Sequence, residues 1–277
     1  MKMMISVKSL VVLTFSALAS LSLHAQNASD NAGNYSSWGM GSPNSGTQAS
    51  QGTGFGPWTF INSTPDGGYS GEYLSGSGSY NDGGNAINSG NGSAFGMYAN
   101  GANAAESQAI APFSEGSILT YQTFSIQFMT DNIGDQGGQE GVDLQNSSSV
   151  NLFQIYFNGG SSDWYINVGG QQVDTGLGYT KEPLTFSYTQ LPGDSWSFTI
   201  SAQGGSSDTL TSASTGDFLS ANNISQADVF NLNGNDSGNQ NDNSYFNNIQ
   251  VVPEPSSLAV FAVSGLGTLL AFRCRKS

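Results

Sequence analysis

The stretch TFSIQFM, residues 123–129, decides the fold: Phe124, Ile126 and Phe128 alternate with Thr123, Ser125 and Gln127. A period of two puts the aromatic and aliphatic side chains on one face of an extended strand and the polar ones on the other, so one face is buried and one is wet. The same alternation returns in LTFSYT (184–189), through Leu184, Phe186 and Tyr188, and in SWSFTIS (195–201), through Trp196, Phe198 and Ile200. Outward from these, GPWTFI (56–61), SAFGMYA (93–99), NLFQIYF (151–157), DWYINV (163–168) and SYFNNIQVV (244–252) are short aromatic and β-branched runs between turn residues, which are strand signals.

Two connections predict hairpins. Asn158-Gly159-Gly160 supplies positive φ angles between LFQIYF and DWYINV, and residues 190–194, with Pro192-Gly193, join LTFSYT to SWSFTIS, so neighbouring strands are expected to be antiparallel. No stretch of the body holds apolar residues at three- and four-residue spacing, and the many Gly and Asn residues weaken a long helix. The expected fold is all-β, an antiparallel β-sandwich or jelly roll. A parallel β-helix would show a fixed repeat with stacked apolar positions, and the sequence has none.

The chain has 277 residues, of which 37 are Gly and only 9% are charged. Between Gln26 and Val252 one lysine, Lys181, stands against nineteen carboxylates, a formal charge of −18. Nucleic acid is excluded as a partner, because phosphate binding needs Lys and Arg to displace counterions. The acidic surface favours solubility and can gather divalent cations. The one cysteine, Cys274, lies in the basic tail, so the body forms no intrachain disulfide.

The ends read as export signals. Lys2 and Lys8 precede an apolar run from Leu10 to Leu23, the pattern of a signal peptide and hence of a signal helix, with signal peptidase cleavage expected after Ala25. Residues 26–51 carry no apolar period and are expected to be a flexible polar segment. The sandwich domain is expected over 52–252. At the other end Val252-Pro253-Glu254-Pro255 is followed by an apolar run from Leu258 to Phe272 and by Arg273, Cys274, Arg275, Lys276 and Ser277. A membrane helix over about 257–272 is expected; fifteen residues reach about 22 Å, short of the roughly 30 Å hydrocarbon core, so it inserts with local thinning or snorkelling. Arg273, Arg275 and Lys276 act as a basic stop on the cytoplasmic side.

Pro253, Glu254 and Pro255, the short apolar helix and the Arg-rich end together resemble the PEP-CTERM sorting signal over about the last 25 residues. The resemblance implies recognition by an exosortase-type transpeptidase, transient insertion in the inner membrane, removal of the helix, and release or transfer of the body to the cell surface or exopolysaccharide matrix. The three motif residues are substrate features in that scheme. The Ser, Thr, Gly and Asn-rich, Lys-poor body is similar to those of other proteins with this tail, some of which resemble concanavalin-type or laminin-G-type sandwiches.

For the body, three kinds of role stay open: a non-enzymatic surface or matrix protein, a carbohydrate-binding module and a carboxylate-dependent glycoside hydrolase. The one histidine, His24, lies in the signal peptide, which removes Ser-His and Cys-His nucleophile systems and His or Cys metal sites. Glycoside hydrolysis would need two carboxylates, for which Glu140 and Asp143 are candidates within DNIGDQGGQEGVD (131–143), a segment that reads as a Gly-rich loop. Without a redox or organic cofactor implied, Ca2+ is the one candidate ion: Asp131, Asn132, Asp135 and Asp143 offer hard oxygen ligands, as do Asn235, Asp236, Asn239 and Asp242. Trp164 and Tyr165, with Tyr179 and Tyr188, are candidates to stack on a sugar ring, against the alternative that aromatics in alternating strands are core.

Overall fold

The computed structural model describes residues 27–41, 44–64, 68–76, 87, 92–100, 105–131, 133, 137–212, 223–232 and 243–253. The expected signal helix, Ala25, Glu254, Pro255, the membrane helix, the basic stop of Arg273, Arg275 and Lys276, Asp135 and the second oxygen-rich stretch all lie outside them. Among the described residues no helix is long and apolar enough to cross a membrane.

Two antiparallel sheets face each other. In chain order the strands are β1 (Ala28–Asp30), β2 (Gly46–Gln48), β3 (Trp58–Ser63), β4 (Tyr69–Ser75), β5 (Ala94–Asn100), β6 (Glu106–Pro112), β7 (Gln122–Thr130) and β8 (Gln139–Gln145). They continue with β9 (Asn151–Asn158), β10 (Asp163–Val168), β11 (Gln171–Gly178), β12 (Leu184–Gln190), β13 (Trp196–Ala202), β14 (Ser207–Thr211), β15 (Gln226–Leu232) and β16 (Asn243–Pro253). The first sheet runs β14-β13-β12-β7-β16-β5-β4, with β1 also beside β16; the second runs β11-β10-β9-β8-β15-β6-β3-β2.

The period-two reading sets the faces. Phe124, Ile126 and Phe128 on β7 stand level with Tyr188, Phe186 and Leu184 on β12, and these with the inward residues of β13. From the second sheet Val142, Ile155, Ile166 and Val229 meet them in one continuous apolar core. Trp164 is fully buried there, packed against Phe128, Phe157 and Phe186. Both expected hairpins form. Gly160 takes φ 79° between β9 and β10, and Gly193 and Asp194 take φ 70° and 64° between β12 and β13.

The structure corrects two expectations. Residues 27–41 and 44–51 are part of the fold and not a loose leader. β1 pairs with β16 through Ala28↔Val251, Ser29↔Gln250 and Asp30↔Ile249, and Trp38, 3% exposed, inserts between Trp58, Phe60, Phe95 and Phe246. The buried Asp30 carboxylate accepts hydrogen bonds from Tyr35 Oη (2.6 Å) and Trp58 Nε1 (3.0 Å), and burial with that carboxylate beside it pushes the Tyr35 hydroxyl up to about 12. These partners lie far along the chain, so local periodicity carries no trace of them. The second correction concerns 131–143, where Gln139–Gln145 forms the central strand β8 instead of a loop.

A β-bulge marks β16, whose register with β7 shifts between Asn247 and Gln250. Asn248 adopts φ 50°, a left-handed angle that Asn tolerates better than most residues. Asn247 Oδ1 accepts from the Ala32 amide at 2.9 Å, and its Nδ2 donates to Ile87 O at 2.8 Å. The bulge lets β16 leave β5 as a neighbour and take up β1.

Candidate functional site

The residues selected from sequence do not converge. Asp131 follows the last residue of β7 in the first sheet, and Lys181 Nζ lies 3.3 Å from its Oδ1, while Asp143 sits on β8 in the second sheet. Among the described residues no three His, Cys, Asp or Glu side chains gather as a metal site, so the calcium set of Asp131, Asp135 and Asp143 is not assembled by the described parts of the chain. Glu140 and Asp143 fall on opposite faces of β8, since an odd spacing in a strand separates side chains. Glu140 points between the sheets and accepts from Asn231 Nδ2 at 3.0 Å. Trp164 and Tyr188 are core residues, which removes them as sugar platforms. Tyr179 packs on Phe157 and donates to Asp131 O at 2.8 Å. Tyr165 is half-buried beside Tyr156, their rings 6.1 Å apart and inclined by 36°, a pair and not a coplanar strip.

Cross-strand register builds a site that sequence spacing hides. Asp143 stands directly opposite Asp228 of β15 on one side and Gln154 of β9 on the other, all on the outer face of the second sheet. One step along are Phe230, Gly141, Tyr156 and Tyr165; one step the other way are Gln226, Gln145 and Asn151. The two acids are almost sealed, 6% and 2% exposed. Asn151 Nδ2 donates to Asp143 Oδ2 at 2.5 Å and Gln145 Nε2 to Asp228 Oδ2 at 3.0 Å. Gln145 is itself held by Gln226 at 2.7 Å. Oδ1 of each acid is buried without a hydrogen bond of good geometry.

Burial is the main force on both groups. It pushes the Asp143 carboxyl up to about 7, with the Gln154 and Asn151 amides acting the other way. Asp228 is held well above the usual carboxylate range by burial and then by the charges of Asp143 and Glu106. The body's single basic residue is engaged with Asp131, so among the described residues the pair has no cationic partner, and two adjacent buried carboxylates cannot both ionise at small cost. Between the sheets Glu72 is a third such group: burial raises it to about 7 against hydrogen bonds from Ser107 Oγ (2.8 Å), Asn62 Nδ2 (3.1 Å) and the Met40 amide (3.3 Å).

The outer face of the first sheet differs in chemistry. Gln250, Ser125, Ser187, Thr199 and Thr209 lie level across five strands. Thr123, Thr189, Ser197 and Thr211 form a second row, and Gln127, Thr185, Ser201 and Ser207 a third. Thr123 and Thr189 hydroxyls are 2.8 Å apart, and those of Thr199 and Thr209 3.1 Å apart. At the β16 bulge this face opens into a groove of about 450 Å³ whose polar lining includes Ser29, Asn31, Gln127, Asn248 and Gln250.

The family model for the PEP-CTERM protein-sorting motif matches residues 251–276. The tail is thus a sorting motif that marks an exported protein processed at the membrane by an exosortase. No curated protein matches the chain. Among solved structures it is similar to the catalytic domain of the glycoside hydrolase family 131 protein from Coprinopsis cinerea, with 8% identity over 62% of this chain and 74% of that one, at a TM-score of 0.46. It is similar also to a GH131 β-glucanase catalytic domain from Podospora anserina, with 13% identity over 65% and 78% and a TM-score of 0.43. A third is the alginate lyase from Klebsiella pneumoniae, with 12% identity, 48% of this chain and a TM-score of 0.33; the chain spans 60% of that enzyme's length.

Proposed function

We propose, with the sorting motif at residues 251–276 as the premise, that the chain is a non-enzymatic protein of the cell surface or exopolysaccharide matrix. Signal peptidase and an exosortase-type transpeptidase process its two ends, and the β-sandwich body remains in the hydrated polysaccharide. The motif is the observation that carries this reading. β16 reaches Pro253, the first proline of the motif, so the folded body abuts the segment to be processed. An acidic body with a single lysine and a neutral hydroxyl-rich face suits residence among polysaccharide chains, which it contacts without cleaving.

The test is the distribution of the protein among membrane, surface and medium fractions. The wild-type chain is expected at the surface and in the medium, and a chain with Pro253, Glu254 and Pro255 replaced by Ala in the membrane. Equal distributions would overturn the reading.

A glycoside hydrolase is the second reading, favoured by one observation: Asp143 and Asp228 occupy one ladder position on a solvent-side face. Against it, both carboxyls are sealed and clamped by amides, whereas an acid and a nucleophile must reach both sides of a scissile bond. Release of reducing sugar from a β-glucan, abolished by Asp228→Asn, would establish the second reading in place of the first.

A further inference from the structure

We infer that the outer face of the first sheet, with the groove at the β16 bulge, binds a single chain of a neutral polysaccharide through hydrogen bonds alone. The inference rests on the proposed residence in polysaccharide and adds the site and the chemical class of the partner.

Nineteen carboxylates are distributed over the body, yet the three rows on β7, β12, β13 and β14 consist of Ser, Thr and Gln. Asp30, which borders the groove, is 2% exposed and its carboxylate is engaged by Tyr35 and Trp58. Uncharged rows of this kind neither attract an ionic ligand nor repel a neutral one.

The kind of hydrogen-bonding group comes next. Hydroxyls and amides each donate and accept, which matches a sugar hydroxyl, itself donor and acceptor. In the groove the amides are already aligned by one another. Asn248 Nδ2 donates to Gln127 Oε1 at 2.6 Å, Asn31 Nδ2 donates to Asn248 Oδ1, and Gln250 Nε2 donates to Ser125 Oγ at 2.9 Å. Such a network presents its remaining lone pairs and protons in fixed directions, which lowers the entropy lost on binding. The left-handed Asn248 at the bulge sets the orientation of this network, and a strained residue held by its surroundings is a common mark of a binding site.

Shape selects the form of the partner. Five strands at about 4.8 Å spacing give a face about 19 Å across, long enough for several pyranose rings. A sheet twists by roughly 20° per strand, so a flexible single chain follows it and a flat crystalline surface does not.

The test is affinity electrophoresis of the full chain in detergent micelles, through gels containing soluble dextran, soluble laminarin or the anionic polymer alginate, with sedimentation on crystalline cellulose alongside. Retention by dextran or laminarin is expected, with none by alginate or cellulose. Ser187→Glu and Thr199→Glu, which place a charge at half-exposed positions, are each expected to weaken retention about tenfold or more, while Tyr165→Ala on the other sheet leaves it unchanged. Near-UV circular dichroism confirms that each variant is folded, and Gln127→Ala is the substitute for one that is not. Retention by neither neutral glucan overturns the inference. So does retention that survives both Glu variants or is lost with Tyr165→Ala, and that result would leave surface residence, tested by fractionation, standing.

Discussion

Asp143 of β8 and Asp228 of β15 occupy the same rung of an antiparallel ladder, side by side on the outer face of the second sheet and almost closed to solvent. Their chain positions differ by 85 residues, and the fold makes them neighbours, each accepting a hydrogen bond from a side-chain amide. Such a pair is stable when it holds a proton and strained when both groups ionise.

Stability therefore depends on pH in a definite direction. An unfolded carboxyl releases its proton near pH 4, while folded Asp143 and Glu72 hold theirs up to about 7. Between those limits the native state binds more protons than the unfolded one, so stability present at low pH is lost as pH rises toward and through 7. Thermal unfolding is expected to show a lower Tm at pH 8 than at pH 5, by the equivalent of about 2–3 kcal/mol from each of these two groups. Asp228→Asn keeps the shape, removes one of the charges and flattens this slope, with the part due to Glu72 remaining. A Tm that rises from pH 5 to 8 would show that the acids are not buried as a pair.

Trp38 gives a direct measure of whether the N-terminal stretch belongs to the fold. It fills the space between Trp58, Phe60, Phe95 and Phe246, and truncation of a buried aromatic costs about 3–5 kcal/mol. Trp38→Ala is expected to lower the urea midpoint accordingly. An unchanged midpoint would mean that residues 27–41 do not dock.

Gly141 of β8 stands opposite Tyr156 of β9. A Cβ there would sit 2.1 Å from Ile155 O and 2.8 Å from Tyr156 Cα, with backbone as the obstacle, so Gly141→Ala must push the two strands apart. A loss of about 1–3 kcal/mol is expected, seen as a lower denaturation midpoint. A variant as stable as the wild type would contradict this packing.

The parts of the fold legible in the sequence are those encoded locally. β7, β12 and β13 alternate cleanly because each has one dry face and one wet face, and Gly160 and Gly193 mark hairpins by chain geometry. β8 was hidden because its inward row is Glu140, Val142 and Leu144 and its outward row includes Gly141 and Asp143. A buried acid and a central glycine mask the period. Docking of the N-terminal stretch was hidden because Asp30, Tyr35 and Trp38 meet partners in β3, β5 and β16, contacts that leave no periodic signal. The candidate site was hidden for the same reason: pairing Asp143 with Asp228, or Ser125 with Ser187 and Gln250, needs the register between strands, which residue spacing does not carry. Trp164 was legible as an inward position of an alternating strand, and its chemistry as an aromatic suggested a surface role that its burial excludes.

The central claim is that the chain is exported and cut at its C-terminal motif, and intact mass measured on protein from membrane, surface and medium fractions tests it most directly. The surface or medium form is expected to lack both terminal segments, and a chain with Pro253, Glu254 and Pro255 replaced by Ala to stay in the membrane with its C-terminus uncut. An intact C-terminus in every fraction of the unaltered protein would contradict it, making the tail a permanent anchor.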